Sequence, residues 1–147
     1  MDRGAIHVLL IEDDDIHAMI VEKGFRSSGA PGTIDRVRDG EAGVAYVRRE
    51  GHYADRPRPQ LILLDLKLPR LDGHEVLRIL KSDDNFNMIP IVVLSTSAAD
   101  NDVQNASRSH ANSYLVKPVN FAEFRELIAV VVSYWGKWNR SPGQTGA

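Results

Sequence analysis

Three short apolar runs, Ile6 to Ile11, Leu61 to Leu64 and Ile91 to Leu94, constrain this chain more than any other feature. Each has the length of a strand rather than a globular helix, and each stops abruptly at reactive groups. The first ends at Glu12-Asp13-Asp14, the second at Asp65, and the third at Ser95-Thr96-Ser97. A strand that is apolar without alternation is buried on both faces, as in a parallel sheet covered by helices on either side. A shorter strand is expected at Ser113 to Val116, stopping at Lys117-Pro118, and another around Thr33 to Val37.

Between these runs the apolar residues recur at helical spacing. Ile16, Met19, Ile20 and Phe25 outline a first helix, capped by Asp14 or Asp15 and closed by Ser27-Ser28-Gly29. Ala42, Val44, Ala45 and Tyr46/Val47 outline a second helix after Arg38-Asp39-Gly40, and Glu50 to Gln60, with Pro57 and Pro59, reads as a loop. Val76, Leu77, Ile79 and Leu80 form a third stripe beyond the Gly73 turn, ended by Asp83-Asp84-Asn85. The fourth helix, about Ala98 to Ser109, has Val103 as its one large apolar residue, so shallow packing and mobility are expected. Asn120 can cap a last helix running to about Trp135, with Phe121, Phe124, Leu127/Ile128, Val131 and Trp135 as its buried stripe. This alternation predicts an α/β fold, a doubly wound five-stranded parallel sheet with right-handed crossovers.

A chain of 147 residues is of single-domain size, and 43% apolar with 26% charged residues is the composition of a soluble globular protein. The expected division is one domain over residues 1–138 and a flexible polar tail over residues 139–147. The net charge of −2 provides no basic footprint for nucleic acid. Absence of cysteine excludes disulfides, thiolate metal sites and cysteine nucleophiles, and fits a cytoplasmic location. The run Ile6 to Ile11 is too short for a signal peptide or a membrane span, so no membrane association is expected.

Open α/β sheets bind their ligands beyond the carboxyl ends of the strands, so Glu12, Asp13, Asp65, Ser95 and Lys117 are expected to share one site. Carboxylates ~5 Å apart at an effective dielectric near 20 repel by roughly 3 kcal/mol per pair. A divalent cation would relieve this, and Mg2+ suits carboxylate and phosphate oxygens. A carboxylate beside such an ion can attack phosphorus and form an acyl phosphate, and on chemistry alone either Asp13 or Asp65 could do so. Lys117 would supply a charge and Ser95 a hydrogen bond to the new phosphoryl group. His7, His17, His52, His74 and His110 lack compact zinc-ligand spacing and read as surface or strand-edge residues.

The segments Leu-Ile-Glu-Asp-Asp, Leu-Leu-Asp65-Leu-Lys-Leu-Pro69, Asp72-Gly73, Ile-Pro90-Ile-Val-Val-Leu-Ser95 and Tyr114-Leu-Val-Lys117-Pro118 carry a resemblance. From about Ile6 to Trp135 the chain resembles the receiver domain of two-component response regulators. The resemblance implies a flavodoxin-like sheet with strand order 2-1-3-4-5. It makes Asp65 the phosphoacceptor, and it implies Mg2+ held by Glu12, Asp13, Asp65 and the backbone carbonyl of Lys67. Ser95 becomes the switch hydroxyl, Tyr114 the aromatic that follows it inward, and Lys117 the phosphate contact. A cis bond between Lys117 and Pro118, turning the amine toward the acids, is also implied. Ser95 departs from the more frequent threonine, and His110 stands where glycine is usual before Ala111, so a left-handed backbone there would carry modest strain.

More narrowly, the chain is similar to stand-alone receivers that work with bacterial phytochrome histidine kinases. The Asp83 to Met88 segment, the Leu-Ser-Thr-Ser ending, the Ala-Asn-Ser-Tyr-Leu-Val-Lys-Pro run and the aromatic last helix carry this likeness. Photoreception would then belong to the partner, and output would pass through association, return of phosphate to a kinase, or a phosphate sink. Val130, Val132, Tyr134 and Trp138 fall outside the last helix's stripe, and a homodimer through the fourth helix, fifth strand and fifth helix is expected. No external metabolite is expected as substrate, so the protein is not expected to be an enzyme in the ordinary sense. Lys67 is expected to overhang the site and prolong the phosphoryl group's life.

Three rivals follow from the same residues. One is a receiver-like module that binds partners without being phosphorylated. Another is a Mg2+-dependent phosphatase of the haloacid-dehalogenase type, which would carry a second aspartate where Lys67 stands. The last is a flavin electron carrier, whose cofactor phosphate Glu12-Asp13-Asp14 would repel.

Overall fold

In the computed structural model, which describes residues 4–140, the five expected strands form one parallel sheet in the order β2-β1-β3-β4-β5. The strands are β1 (Ile6–Ile11), β2 (Gly32–Val37), β3 (Leu61–Asp65), β4 (Ile91–Ser95) and β5 (Ser113–Val116). The helices are α1 (Asp15–Ser27), α2 (Gly40–Arg48), α3 (Gly73–Ser82), α4 (Asp100–Arg108) and α5 (Phe121–Ser133). One turn of 3-10 helix, Gly51–Tyr53, interrupts the expected loop, and a π-helical turn, Tyr134–Trp138, extends α5. Of the expected tail, residues 141–147 lie outside the described residues.

Successive residues of a strand point to opposite faces, and here both faces are covered. Ile6, Val8 and Leu10 of β1 join Leu61, Leu63, Val92 and Leu94 against α1 and α5. Leu9, Ile11, Ile62, Leu64, Ile91 and Val93 pack the other way, against α2, α3 and Ala106 of α4. This double burial explains why the runs are unbroken. Ala106 is the one buried residue of α4, in keeping with its expected shallow packing.

Two helical faces differ from expectation. In α1, Asp14 is the cap, accepting from the N–H groups of Ile16 and His17, whereas Asp15 binds Arg36 and Arg38 at 2.9 and 2.8 Å. Ile16 and Met19 are about half exposed, whereas Ile20 and Phe25 are buried as expected, joined by Ala18, Val21 and Gly24. The helix is drawn so close to α5 that a Cβ on Gly24 would lie 2.7 Å from Cβ of Ile128, so small residues hold the contact. In α5, Phe124, Ile128, Val131 and also Val132 are buried, while Phe121 is exposed in the first turn, directly after the Asn120 cap. Trp135 packs partly buried against the core.

Two polar side chains, one half-buried and one buried, hold the sheet's flanks. Lys81, at the end of α3, donates from Nζ to the carbonyls of Asn87 (3.1 Å) and Ile89 (3.0 Å) and to Oδ1 of Asn112 (2.9 Å). All three of its N–H bonds are used, which offsets the desolvation that lowers its pKa. His7 was expected at the surface or a strand edge but is 8% exposed. Tyr46 donates its one hydroxyl proton to the Asp35 carboxylate at 2.5 Å, so Nε2 of His7 must be the donor to the Tyr46 oxygen at 2.6 Å. Nδ1 then accepts from the Thr33 hydroxyl at 2.7 Å, which requires a neutral ring.

Burial pulls the His7 pKa below its ordinary value, partly opposed by Asp35. The unfolded chain therefore binds a proton here more readily, and the stabilisation present above about pH 6.5 is lost as pH falls. Glu12, whose pKa is raised to about 7, acts in the opposite sense over the same range. The His7 contribution is isolated as a difference: in urea unfolding, wild type is expected to lose stability relative to His7→Gln between pH 7.5 and pH 5.5. A constant difference would show that the His7 ring binds its proton equally well in the folded and unfolded states, against the shift that burial is expected to cause.

His110 has φ of 68°, so it keeps the left-handed conformation that glycine usually supplies, at the cost of modest strain. No helix among the described residues is long and apolar enough to cross a membrane.

Candidate functional site at the carboxyl edge of the sheet

Strand register brings the acids level. Ile11 pairs with Leu64 and Asp65 with Leu94, so Glu12, one residue beyond β1, stands beside Asp65 at the end of β3. Arg36 of β2 steadies the turn by donating from Nε to the Glu12 carbonyl at 3.0 Å while its Nη1 binds Asp15. Glu12, Asp13 and Asp65 each place a carboxylate oxygen within 4.8 Å of the others'. Glu12 and Asp65 are buried and Asp13 is exposed. Among the described residues this is the one group of three or more potential metal ligands, and no histidine belongs to it.

The donor set is three hard oxygens of like charge, two of them out of water. Such a set fits a divalent cation of the Mg2+ kind, with room for water on the side of exposed Asp13. Burial raises the Glu12 carboxyl to about 7, against the pull of Lys117, and the neighbouring charge of Asp65 adds to the rise. Lys117, at the end of β5, is itself buried and is the local counter-charge. Its Nζ donates to Oε1 of Glu12 at 2.6 Å and lies 3.7 Å from Oδ2 of Asp65.

The expected cis bond before Pro118 is absent: no described peptide bond is cis. The trans form is the preferred one for an X-Pro bond, and nothing here needs the alternative. The N–H of Lys117 donates to the Ser95 carbonyl at 2.7 Å, and the four-carbon stem reaches Glu12 from that position.

Gly73 controls the loop after Asp65. Its N–H donates to the Leu66 carbonyl at 2.8 Å, and a Cβ there would lie 2.3 Å from the Asp65 carbonyl oxygen. Only glycine lets α3 begin against the backbone of that carboxylate. Lys67 is exposed, and its N–H lies 3.4 Å from Oδ1 of Asp65.

On the other flank Ser95 is 1% exposed and its Oγ accepts from the N–H of Ser97 at 3.0 Å. Tyr114 is partly buried and donates to the Ser97 carbonyl at 2.8 Å. Ser97 also donates from Oγ to Asp102 at 2.6 Å, and Asp102 faces Nε2 of His74 at 3.0 Å. Ser95 and Tyr114 thus meet at one residue, Ser97, whose side chain reaches α4 and, through Asp102, the start of α3. Sequence reasoning missed Ser97, Asp102, His74 and His17 as parts of this neighbourhood. Their one sequence signal is the cluster of hydroxyls after β4.

Comparison with known proteins agrees with this arrangement. The response regulator receiver domain family matches residues 8–129. The chain is 44% identical over 137 residues to the probable methanogenesis regulatory protein FilR2 of Methanothrix harundinacea, covering 92% of this chain and 87% of that protein. The crystal structure of the phosphorylated cyanobacterial phytochrome response regulator RcpA superposes with a TM-score of 0.91 at 36% identity, covering 95% of this chain and 100% of that one. The Mn2+-bound form of response regulator Rcp1, known from Synechocystis, gives 0.89 at 35% identity, over 94% and 99% of the two chains. The chain belongs to the response regulator receiver family. Its flavodoxin-like sheet order 2-1-3-4-5 is that of the reading made from sequence.

Proposed function

We propose that this protein is a single-domain response regulator of a two-component phosphorelay, working in the cytoplasm, with Asp65 as phosphoacceptor. The observation that carries the reading is a buried carboxylate 3.7 Å from a buried amine and level with two further acids. An Oδ of Asp65 attacks the phosphorus of a kinase phosphohistidine, the P–N bond breaks, and the imidazole leaves with its electron pair. Glu12, Asp13, Asp65 and the Lys67 carbonyl would hold Mg2+, which when bound would supply positive charge against the transferring group. Lys117 then meets a phosphoryl oxygen, the Ser95 hydroxyl turns to it, and Tyr114 follows, loosening what both now hold at Ser97. No external metabolite is converted.

Incorporation of phosphoryl from acetyl phosphate, with and without Mg2+, tests this reading. Mg2+-dependent labelling is expected, and no labelling by either acetyl phosphate or a cognate kinase would favour the phosphorylation-independent module. For the partner we infer a bacterial phytochrome histidine kinase, supported by likeness to RcpA. Phosphotransfer from such a kinase should change between red and far-red light. Light-insensitive transfer from a different kinase would align the chain with a regulator such as FilR2 instead.

The proposed homodimer uses α4, β5 and α5. Val103, Val116, Val119 and Phe121 are exposed on these elements and the loop joining β5 to α5. Sedimentation of phosphorylated and unphosphorylated protein should show association, and monomer in both states would remove the dimer from this account.

Lys67, exposed beside Asp65, is proposed to obstruct the hydrolytic water. Lys67→Ala should lose its phosphoryl group severalfold faster, about 1 kcal/mol in barrier height. Equal decay of the two labelled proteins at the same saturating Mg2+, after removal of excess acetyl phosphate, would assign Lys67 no such role.

A further inference from the structure

We propose that His17 is a positioning residue for Lys117, the acceptor that keeps the lysine amine aimed at Asp65 independently of Glu12. The inference rests on Asp65 as the phosphoacceptor. A lysine ammonium has three N–H donors and no acceptor, so any nitrogen bonded to it must offer a lone pair. Nδ1 of His17 lies 2.9 Å from Lys117 Nζ and is therefore the acceptor, with the proton of the neutral ring on Nε2. A second N–H goes to Oε1 of Glu12 at 2.6 Å. Asp65 Oδ2, at 3.7 Å, is too far for a hydrogen bond, which leaves the third N–H for a group carried on Asp65.

The two acceptors differ in how free they are. Glu12 belongs to the acid trio, so an ion bound there competes with Lys117 for its oxygens. His17 is outside that trio: its Nδ1 meets the amine at 2.9 Å, with Oδ2 of Asp14 farther off at 4.0 Å. Its own place is well determined. Its backbone N–H is held by the Asp14 cap at 3.0 Å, and its ring stands edge-on to Phe124, with centroids 5.7 Å apart and planes at 76°. The side chain spans the gap between α1 and α5 and meets, at its inner edge, a lysine 100 residues away in sequence.

A ring that merely packed on Phe124 would have the same surroundings, so the test separates packing from acceptance. His17→Leu keeps an apolar body against Phe124 and removes the lone pair. His17→Asn gives up ring contact but can put its carbonyl oxygen where Nδ1 stands. Phosphoryl incorporation from acetyl phosphate at saturating Mg2+ should be slowed roughly fivefold in His17→Leu, the scale of one lost hydrogen bond, and lie within about twofold of wild type in His17→Asn. In a Lys117→Met background, where incorporation is slow, adding His17→Leu should change the rate no further. The proposal is overturned if His17→Leu labels like wild type, if Leu and Asn variants are slowed alike, or if His17→Leu slows the Lys117→Met protein by the same factor. Failure of wild type itself to be labelled, by acetyl phosphate and by a cognate kinase alike, would remove the phosphoacceptor reading and this inference with it, an outcome distinct from the other three.

Discussion

Asp65→Asn is expected to reduce phosphoryl incorporation by more than about 100-fold while leaving the fold intact. Asparagine has nearly the shape of aspartate, but its neutral amide is a poor nucleophile toward phosphorus. The substitution also removes one of three crowded carboxylates, so Glu12 loses a neighbouring charge that raises its pKa. Loss of labelling with an unchanged circular-dichroism spectrum is therefore the expected pair of results. Chemistry alone allowed Asp13 as the nucleophile, and the geometry supports Asp65: it is 8% exposed and lies beside Lys117, whereas Asp13 faces water. Persistent labelling of Asp65→Asn, mapped to Asp13 by mass spectrometry, would reverse that assignment.

The largest loss of stability is expected from Phe124→Ala. The ring is fully buried where α1, α5 and the sheet meet. Phenylalanine-to-alanine changes in such positions cost about 3–5 kcal/mol, a large part of the 5–15 kcal/mol that holds an ordinary domain together. With a urea slope of roughly 2 kcal/mol/M, the unfolding midpoint should fall by about 2 M. A shift below about 0.5 M would mean that α5 is held by other contacts. Loss of the ring also removes the edge contact that orients His17, so the phosphorylation rate should fall even where the protein remains folded.

Much of the fold was legible because the strands are buried on both faces, and Leu61 to Leu64 or Ile91 to Leu94 have no other plausible use. Helix faces were less legible. In α1 large apolar residues occur on more than one side, and the buried side is chosen by Ala18 and Gly24, which admit α5, rather than by Ile16 and Met19. A stripe of side-chain size cannot register a preference for small residues. In α5 helical spacing placed Phe121 with Phe124, but the helix's first turn leaves Phe121 in solvent.

The site divides in the same way. Acids, hydroxyl and amine at strand ends were visible because parallel strands carry their reactive tips to one edge. Family resemblance then chose Asp65 from between two aspartates. It also supplied a cis bond that the trans backbone at Lys117 does without. His17 was invisible for a different reason: a histidine in a helix gives no sign of which ring nitrogen is used, or of a partner 100 residues downstream. His74 and Ser97 were hidden likewise, since their meeting with Asp102 depends on how α3 and α4 pack.

The lysine at the opposite end of the sheet gives the molecule a mechanical asymmetry. By gripping the carbonyls of Asn87 and Ile89 and the side chain of Asn112, which also accepts from the N–H of Ile91, Lys81 ties the entry of β4 to the entry of β5 with one atom. That knot lies one strand length from Ser95, ~16 Å at the usual rise per residue. A shift at the acidic edge is therefore expected as a tilt about this tie rather than a slide of the whole strand. With Ser95 as the proposed switch hydroxyl, a lever of that length would turn its movement into a swing of α4, whose one buried residue is Ala106.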